Sequence, residues 1–125
     1  EIGGEPLEDA HYWQKLRDQK LPFFDGAKPL WRLSLPPATP ELDLPGTRLS
    51  DWGGAQRWLK SDADTDTLRQ LAASAGGSAT RFSGDEPEDA PFHPLPAALL
   101  RYHQTLKARL DPERIFNPGR LYADL

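Results

Sequence analysis

The sequence predicts an α+β domain: an antiparallel sheet of about four strands with helices packed on one face. Three observations carry that expectation. Apolar residues alternate at period two from Leu30 to Leu35, as in a half-buried strand. Two strand-like runs meet at Gly53-Gly54, the pattern of a hairpin. The stretches Asp62 to Ala75 and Leu95 to Leu110 carry leucine and alanine at helical spacing.

In chain order, Pro6 to Leu21 reads as a helix. Pro6 suits the first helical position, Glu8 and Asp9 favour the positive end of the dipole, and Lys15, Arg17 and Lys20 the negative end. Trp13 and Leu16 share its apolar face, and core packing is expected for Trp13 as for Trp31. Pro22 stops it. In Leu30 to Leu35, Trp31, Leu33 and Leu35 face one side, Arg32 and Ser34 the other. Pro36 to Pro45 is a rigid proline-rich loop. Arg48 to Trp52 and Ala55 to Lys60 form the hairpin, with a two-glycine primed turn between them. Ala55, Arg57 and Leu59 lie on one face, Gln56, Trp58 and Lys60 on the other. In the next helix Asp64 or Thr65 is the cap, Leu68, Leu71, Ala72 and Ala75 the buried stripe, and Gly76-Gly77 the stop. Ser78 to Phe82 is a further strand and Gly84 to Pro94 an exposed acidic loop. The last helix places Leu95, Leu99, Tyr102, Leu106 and Leu110 on one stripe. A hairpin followed by helix and strand is half of a ferredoxin-like unit.

At 125 residues the chain is one domain. Fifteen basic against nineteen acidic residues leave a net charge of −4, which argues against a nucleic-acid binder with a basic face. Without cysteine there is no thiolate nucleophile, disulfide or iron–sulfur ligand. No apolar run reaches membrane-spanning length and no signal peptide is evident. The chain starts at Glu1 and contains no methionine, so a fragment of a longer protein is expected. Asp62, Asp64 and Asp66 alternate like a calcium loop but lack its glycine and terminal glutamate, so helix capping explains them better. Glu86, Glu88 and Asp89 read as a solvated loop. His103 reads as a partly buried, satisfied histidine on its helix, as does His11.

The most informative stretch is Leu110-Asp111-Pro112-Glu113-Arg114-Ile115-Phe116-Asn117-Pro118-Gly119-Arg120-Leu121. Asp111 and Asn117 each precede proline and so leave helical geometry. Pro118-Gly119 fits a type II turn. The two turns frame Ile115 and Phe116, which are expected to be buried, and aim the Asn117 amide at a ligand. Taken with Lys107, this tail resembles the C-terminal end of FAD-linked oxidases, the superfamily of vanillyl-alcohol oxidase, D-lactate dehydrogenase and glycolate oxidase. Asp51-Trp52-Gly53-Gly54-Ala55-Gln56-Arg57-Trp58-Leu59 and Trp31-Arg32-Leu33-Ser34-Leu35-Pro36 are similar to segments of the FAD-binding subunits of bacterial glycolate oxidases. The resemblance spans Leu30 to Tyr122.

That resemblance implies that residues 1–125 form the C-terminal cap domain of such a subunit. The cap closes over the flavin of FAD, which is held mainly by an N-terminal domain with a glycine-rich phosphate loop that this sequence lacks. By the same match Asn117 lies near the flavin and Arg120 faces flavin or substrate charge. The implied partners are that FAD domain of the same chain, a catalytic flavoprotein subunit and an iron–sulfur subunit. The implied place is cytoplasmic, or peripheral to the inner membrane through the complex. The chemistry of the complex would be oxidation of glycolate to glyoxylate, with the cap itself inactive. One departure stands out. Relatives that oxidise 2-hydroxy acids carry His-Gly-x-Gly before the last helix. Here only His93 stands there, between Phe92 and Pro94, and it reads as a loop histidine with no catalytic role. Trp52 and Trp58 flank the hairpin turn and are candidates for a domain interface. The competing expectation is a non-catalytic interaction module that binds protein partners through this tryptophan-rich hairpin.

Overall fold

The computed structural model describes residues 9–84, 90–123 and 125. The elements are α1 (Tyr12–Arg17), β1 (Leu30–Ser34), β2 (Thr47–Asp51), β3 (Gln56–Lys60), α2 (Thr65–Ser74), β4 (Ser78–Ser83) and α3 (Ala97–Leu110), with 3₁₀ turns at Pro22–Phe24 and Trp52–Gly54. The expected four-stranded antiparallel sheet is present, in the order β2-β3-β1-β4. This is the ferredoxin-like order and direction of strands. The first crossover helix of that plan is replaced by the proline-rich loop between β1 and β2. The expected start of the first helix at Pro6 and Glu8 lies outside the described residues, as do Glu86, Glu88 and Asp89 of the acidic loop.

Residues opposite one another in an antiparallel pair share a face, so the register sorts the sheet. Trp31 faces Leu59 and Arg81, and Leu33 faces Arg57 and Ala79. On this face α2 and the proline-rich loop close the core of Trp31, Leu33, Leu35, Leu44, Leu59, Leu68, Ala72 and Ala79, with Leu71 and Ala75 packed at its margin. The predicted stripe of α2 is therefore the buried one. Its N-terminus is capped by Asp64, whose carboxylate accepts the Thr67 N–H at 3.0 Å. Its C-terminus is a Schellman motif: Gly77 N–H donates to Ala72 and Gly76 N–H, at φ 76°, to Ala73. A Cβ at Gly77 would overlap the Ser34 carbonyl, so this glycine also lets α2 approach β1.

Three expectations need correction. Strand β3 is buried on both faces: Arg57, Trp58, Leu59 and Lys60 are all buried, because β3 is central and the opposite face is covered too. There Trp58 packs edge-on against Phe24 at 5.6 Å and Phe82 at 5.0 Å. The α1 segment buries Leu16 and borders Trp58 on that side, so the helices are not confined to one face. The turn between β2 and β3 is not a two-residue glycine turn either. Asp51 pairs with Gln56, and the loop is Trp52 to Ala55. Three consecutive left-handed residues, at φ 50°, 61° and 90°, turn the chain there. Lastly, α3 forms as predicted but buries none of its residues. Tyr102, Leu106 and Leu110 of its apolar stripe are exposed.

Candidate functional site

The tail turn is built from the end of α3 upward. The Asp111 N–H closes the helix on the Lys107 carbonyl at 2.8 Å, and Pro112 prevents a further turn. The Asp111 carboxylate then folds forward and accepts the N–H groups of Ile115 at 2.9 Å and Phe116 at 3.0 Å. Lys107 Nζ lies 2.6 Å from that carboxylate and also donates to the Phe116 carbonyl. The Lys107 ammonium, aided by the two N–H groups, holds the Asp111 carboxyl below its ordinary value. Ahead of this clamp the chain turns at Asn117, at φ 45°, then Pro118 and Gly119, at φ 68°. Arg120 N–H donates to the Asn117 carbonyl at 3.3 Å, which closes the predicted proline–glycine turn.

This turn brings Asn117 and Arg120 together on one groove of about 640 Å³. Its other walls include Phe92, Phe116, Leu121 and the Lys107 side chain. An amide that donates and accepts, a guanidinium and two aromatic rings suit a flat, largely apolar ligand with carbonyl or anionic edges. They do not make a pyrophosphate cradle, which needs a glycine-rich loop at a helix N-terminus. The residues present therefore fit contact with the ring system of FAD and leave its diphosphate to be held elsewhere. Ile115 and Phe116, expected inside, are 70 % and 66 % exposed. The clamp satisfies their backbone and turns their side chains outward.

His93 lines an adjoining hollow with Leu95 and Pro96, which shares Phe92 with the Asn117 groove. Its Nδ1 accepts the Ala79 N–H at 3.3 Å. Burial, and then the Arg69 charge, lower its pKa. It pins the loop to β4. His103 is exposed, with Nδ1 2.9 Å from the Leu99 carbonyl, against the expectation of partial burial. His11 is likewise exposed, bonded to Gln14. Among the described residues no cluster of His, Cys, Asp or Glu could hold a metal. Asp62 pairs with Lys28 at 2.7 Å and Asp64 caps α2.

The two interface candidates part company. Trp58 is 6 % exposed and belongs to the interior, whereas Trp52 is 74 % exposed. The Asp51 carboxylate accepts the Trp52 N–H at 2.8 Å and holds that residue at its unusual φ. Trp13, expected in the core, stands out with Trp52 on the rim of a second groove floored by Leu16, Gln56 and Trp58. This groove shares no lining residue with the Asn117 groove.

Two organising features escaped the pattern reading, the Lys107–Asp111 clamp and the buried Arg57. Lys107 and Asp111 were visible as an i,i+4 pair of opposite charge, but nothing local said that Asp111 would gather the chain beyond Pro112. Arg57 reads as an ordinary strand residue. In the structure its buried guanidinium donates to the carbonyls of Thr39, Pro40 and Gly54 and so holds the proline-rich loop against the sheet.

No family model matches the chain. No solved structure matches it significantly. Glycolate oxidase subunit GlcE of Escherichia coli (strain K12) is 54 % identical over 124 residues. That alignment takes in 99 % of this chain but 34 % of the bacterial protein, so the chain spans about a third of its relative's length. At this identity over nearly every residue, including every segment that carries the resemblance, the chain is closely similar to the matching third of a glycolate oxidase GlcE subunit.

Proposed function

We propose that this chain is the C-terminal cap domain of the FAD-binding subunit of a glycolate oxidase complex, and that its tail turn lies over the flavin ring. The observation that carries the reading is the convergence of Asn117 and Arg120 on one aromatic-walled groove, held by the Lys107–Asp111 clamp. When bound, the flavin supplies hydride acceptance during oxidation of glycolate to glyoxylate. The residues of this chain orient and shield. The Asn117 amide offers a donor and an acceptor to a ring edge, Arg120 offers fixed positive charge, and Phe92 and Phe116 keep water from one side. The chain holds no catalytic base in this reading, since His93 is turned to the β4 backbone.

The test uses the full-length subunit assembled with a catalytic flavoprotein subunit and an iron–sulfur subunit. Arg120→Gln removes a charge-assisted contact, and flavin retention through gel filtration should fall about tenfold, in keeping with the usual 1.5–3 kcal/mol of such bonds. Asn117→Ala should slow bleaching of the flavin spectrum by glycolate. Full flavin retention and unchanged bleaching in both variants would break the assignment. A second reading draws on the two protruding indoles, Trp13 and Trp52: an interaction module that grips a protein partner at the hairpin. A parent polypeptide that is colourless and yields no flavin on denaturation would leave that reading in place.

A further inference from the structure

The groove of Asn117 and Arg120 is assembled from two parts of the chain. Among its described walls, every residue from Lys107 to Leu125 belongs to α3 or to the tail behind it, and only Phe92 comes from elsewhere. No buried side chain of α3 fixes that helix against the sheet, so Phe92 is the wall that belongs to the other body. Its ring meets the Tyr122 ring of the tail at 6.2 Å, tilted by 54°. It also borders the hollow of His93, of about 400 Å³, so one ring serves two cavities.

Phe92 is held by a run of four consecutive anchors. Arg69 of α2 donates from Nη2 to the carbonyls of Ala90 and, at 2.9 Å, of Phe92 itself. The Arg81 N–H donates to the Pro91 carbonyl at 2.8 Å. His93 Nδ1 accepts the Ala79 N–H at 3.3 Å. Strand β4 is the outer strand of the sheet, and Ala79 and Arg81 are alternate residues on it, so their N–H groups leave by the same edge. Residues 90–93 therefore run along that edge as a strap. The two β4 ties make a single line about which such a strap can turn. Arg69 supplies attachment from a second element, with charge-assisted bonds that are the stronger kind.

We propose that Arg69 is a positioning residue for the Asn117 groove and acts through Phe92: it holds the strap so that the Phe92 ring stands as the wall opposite the tail. The ligand side of this inference rests on the cap-domain reading. Arg69 does not itself line the groove. Without its two bonds the strap keeps only the β4 ties, and the Phe92 ring is free to swing toward the His93 hollow. A flat ligand then loses one face of contact while Asn117 and Arg120 stay in place.

The experiment uses the full-length subunit and takes two readings. The first is fluorine NMR with para-fluorophenylalanine in place of Phe92. Arg69→Met should move the resonance toward its position in the urea-unfolded chain and make it broaden more with a soluble paramagnetic agent. Arg69→Lys keeps a charged donor for the same carbonyls and should hold both near the starting values. Arg69→Ala is read alongside, so that the test survives if Arg69→Met does not fold. The second reading is the rate of flavin loss in a double-substitution cycle. Arg69→Met and Phe92→Ala should each raise it about tenfold, and the pair together about tenfold as well, because the second change acts on a wall already lost. A merely structural Arg69 would give additive effects, about a hundredfold for the pair. That additivity, or a fluorine signal unmoved by Arg69→Met and Arg69→Ala, would overturn the proposal. A signal that moves as expected in a subunit found to hold no flavin supports the positioning of Phe92 and sinks the cofactor reading alone. An unmoved signal in a flavin-loaded subunit sinks the positioning role alone.

Discussion

Asp111 shows how one residue can decide the shape of a site. Its carboxylate is almost fully buried, accepts two backbone N–H groups and meets one ammonium. All three partners favour the ionised form, which places its pKa below 3.8 in the folded chain. The stabilisation is therefore complete at neutral pH and is lost as pH falls through that lowered pKa. Amide exchange at Ile115 and Phe116 should stay slow down to mildly acidic pH and accelerate only below the ordinary carboxylate range. Asp111→Asn should give fast exchange at every pH. His93 works in the other direction. Its folded pKa lies below 6.5, so the neutral ring that accepts from Ala79 N–H is the stable form. Stability should fall as pH drops from about 6.5, and His93→Asn should flatten that part of a thermal-midpoint profile. The Asp-Pro and Asn-Pro-Gly turns were legible because proline and glycine act on their own backbone. The clamp was not, because it depends on a side chain reaching four and five residues ahead.

At the scale of elements, periodicity named α2 and β1 and placed their buried faces, and Ser78 to Phe82 read as the strand that became β4. Capping and glycine chemistry set both ends of α2. Leu68→Ala, at a site with no exposure, should cost about 2–5 kcal/mol in urea unfolding. The hairpin was legible as a hairpin and misread as a turn, because two adjacent glycines suit a short primed turn and the chain instead starts its bend one residue earlier, at Trp52. That shift separates two indoles that looked equivalent. Trp58→Ala empties a pocket between Phe24 and Phe82 and should cost about 3–5 kcal/mol. Trp52→Ala should change stability by less than about 1 kcal/mol, since its ring touches mostly solvent. Equal effects in denaturant titrations of the two variants would mean that the burial assigned to Trp58 is wrong. The α3 stripe marks the boundary of pattern reading. Spacing shows that a helix has an apolar face. It does not show which molecule, or which part of one, covers that face.

Across the whole molecule, the sheet and α2 share one buried core, and α3 contributes no buried side chain to it. Hydrogen exchange on the 125-residue chain should accordingly show α3 opening at much lower free energy than β1 and β3. Uniform protection across all three would contradict the packing described. The strand order has a further bearing on how the chain comes into being. Strand β1 sits between β3 and β4 and bonds to both, yet it precedes each of them in sequence. As the chain leaves the ribosome, Leu30, Trp31, Leu33 and Leu35 emerge before either neighbour exists. The β2–β3 hairpin can close locally, but the centre of the sheet has to wait for β4. This segment thus stays without its sheet partners until β3 forms and β4, late in the sheet's synthesis, reaches its edge.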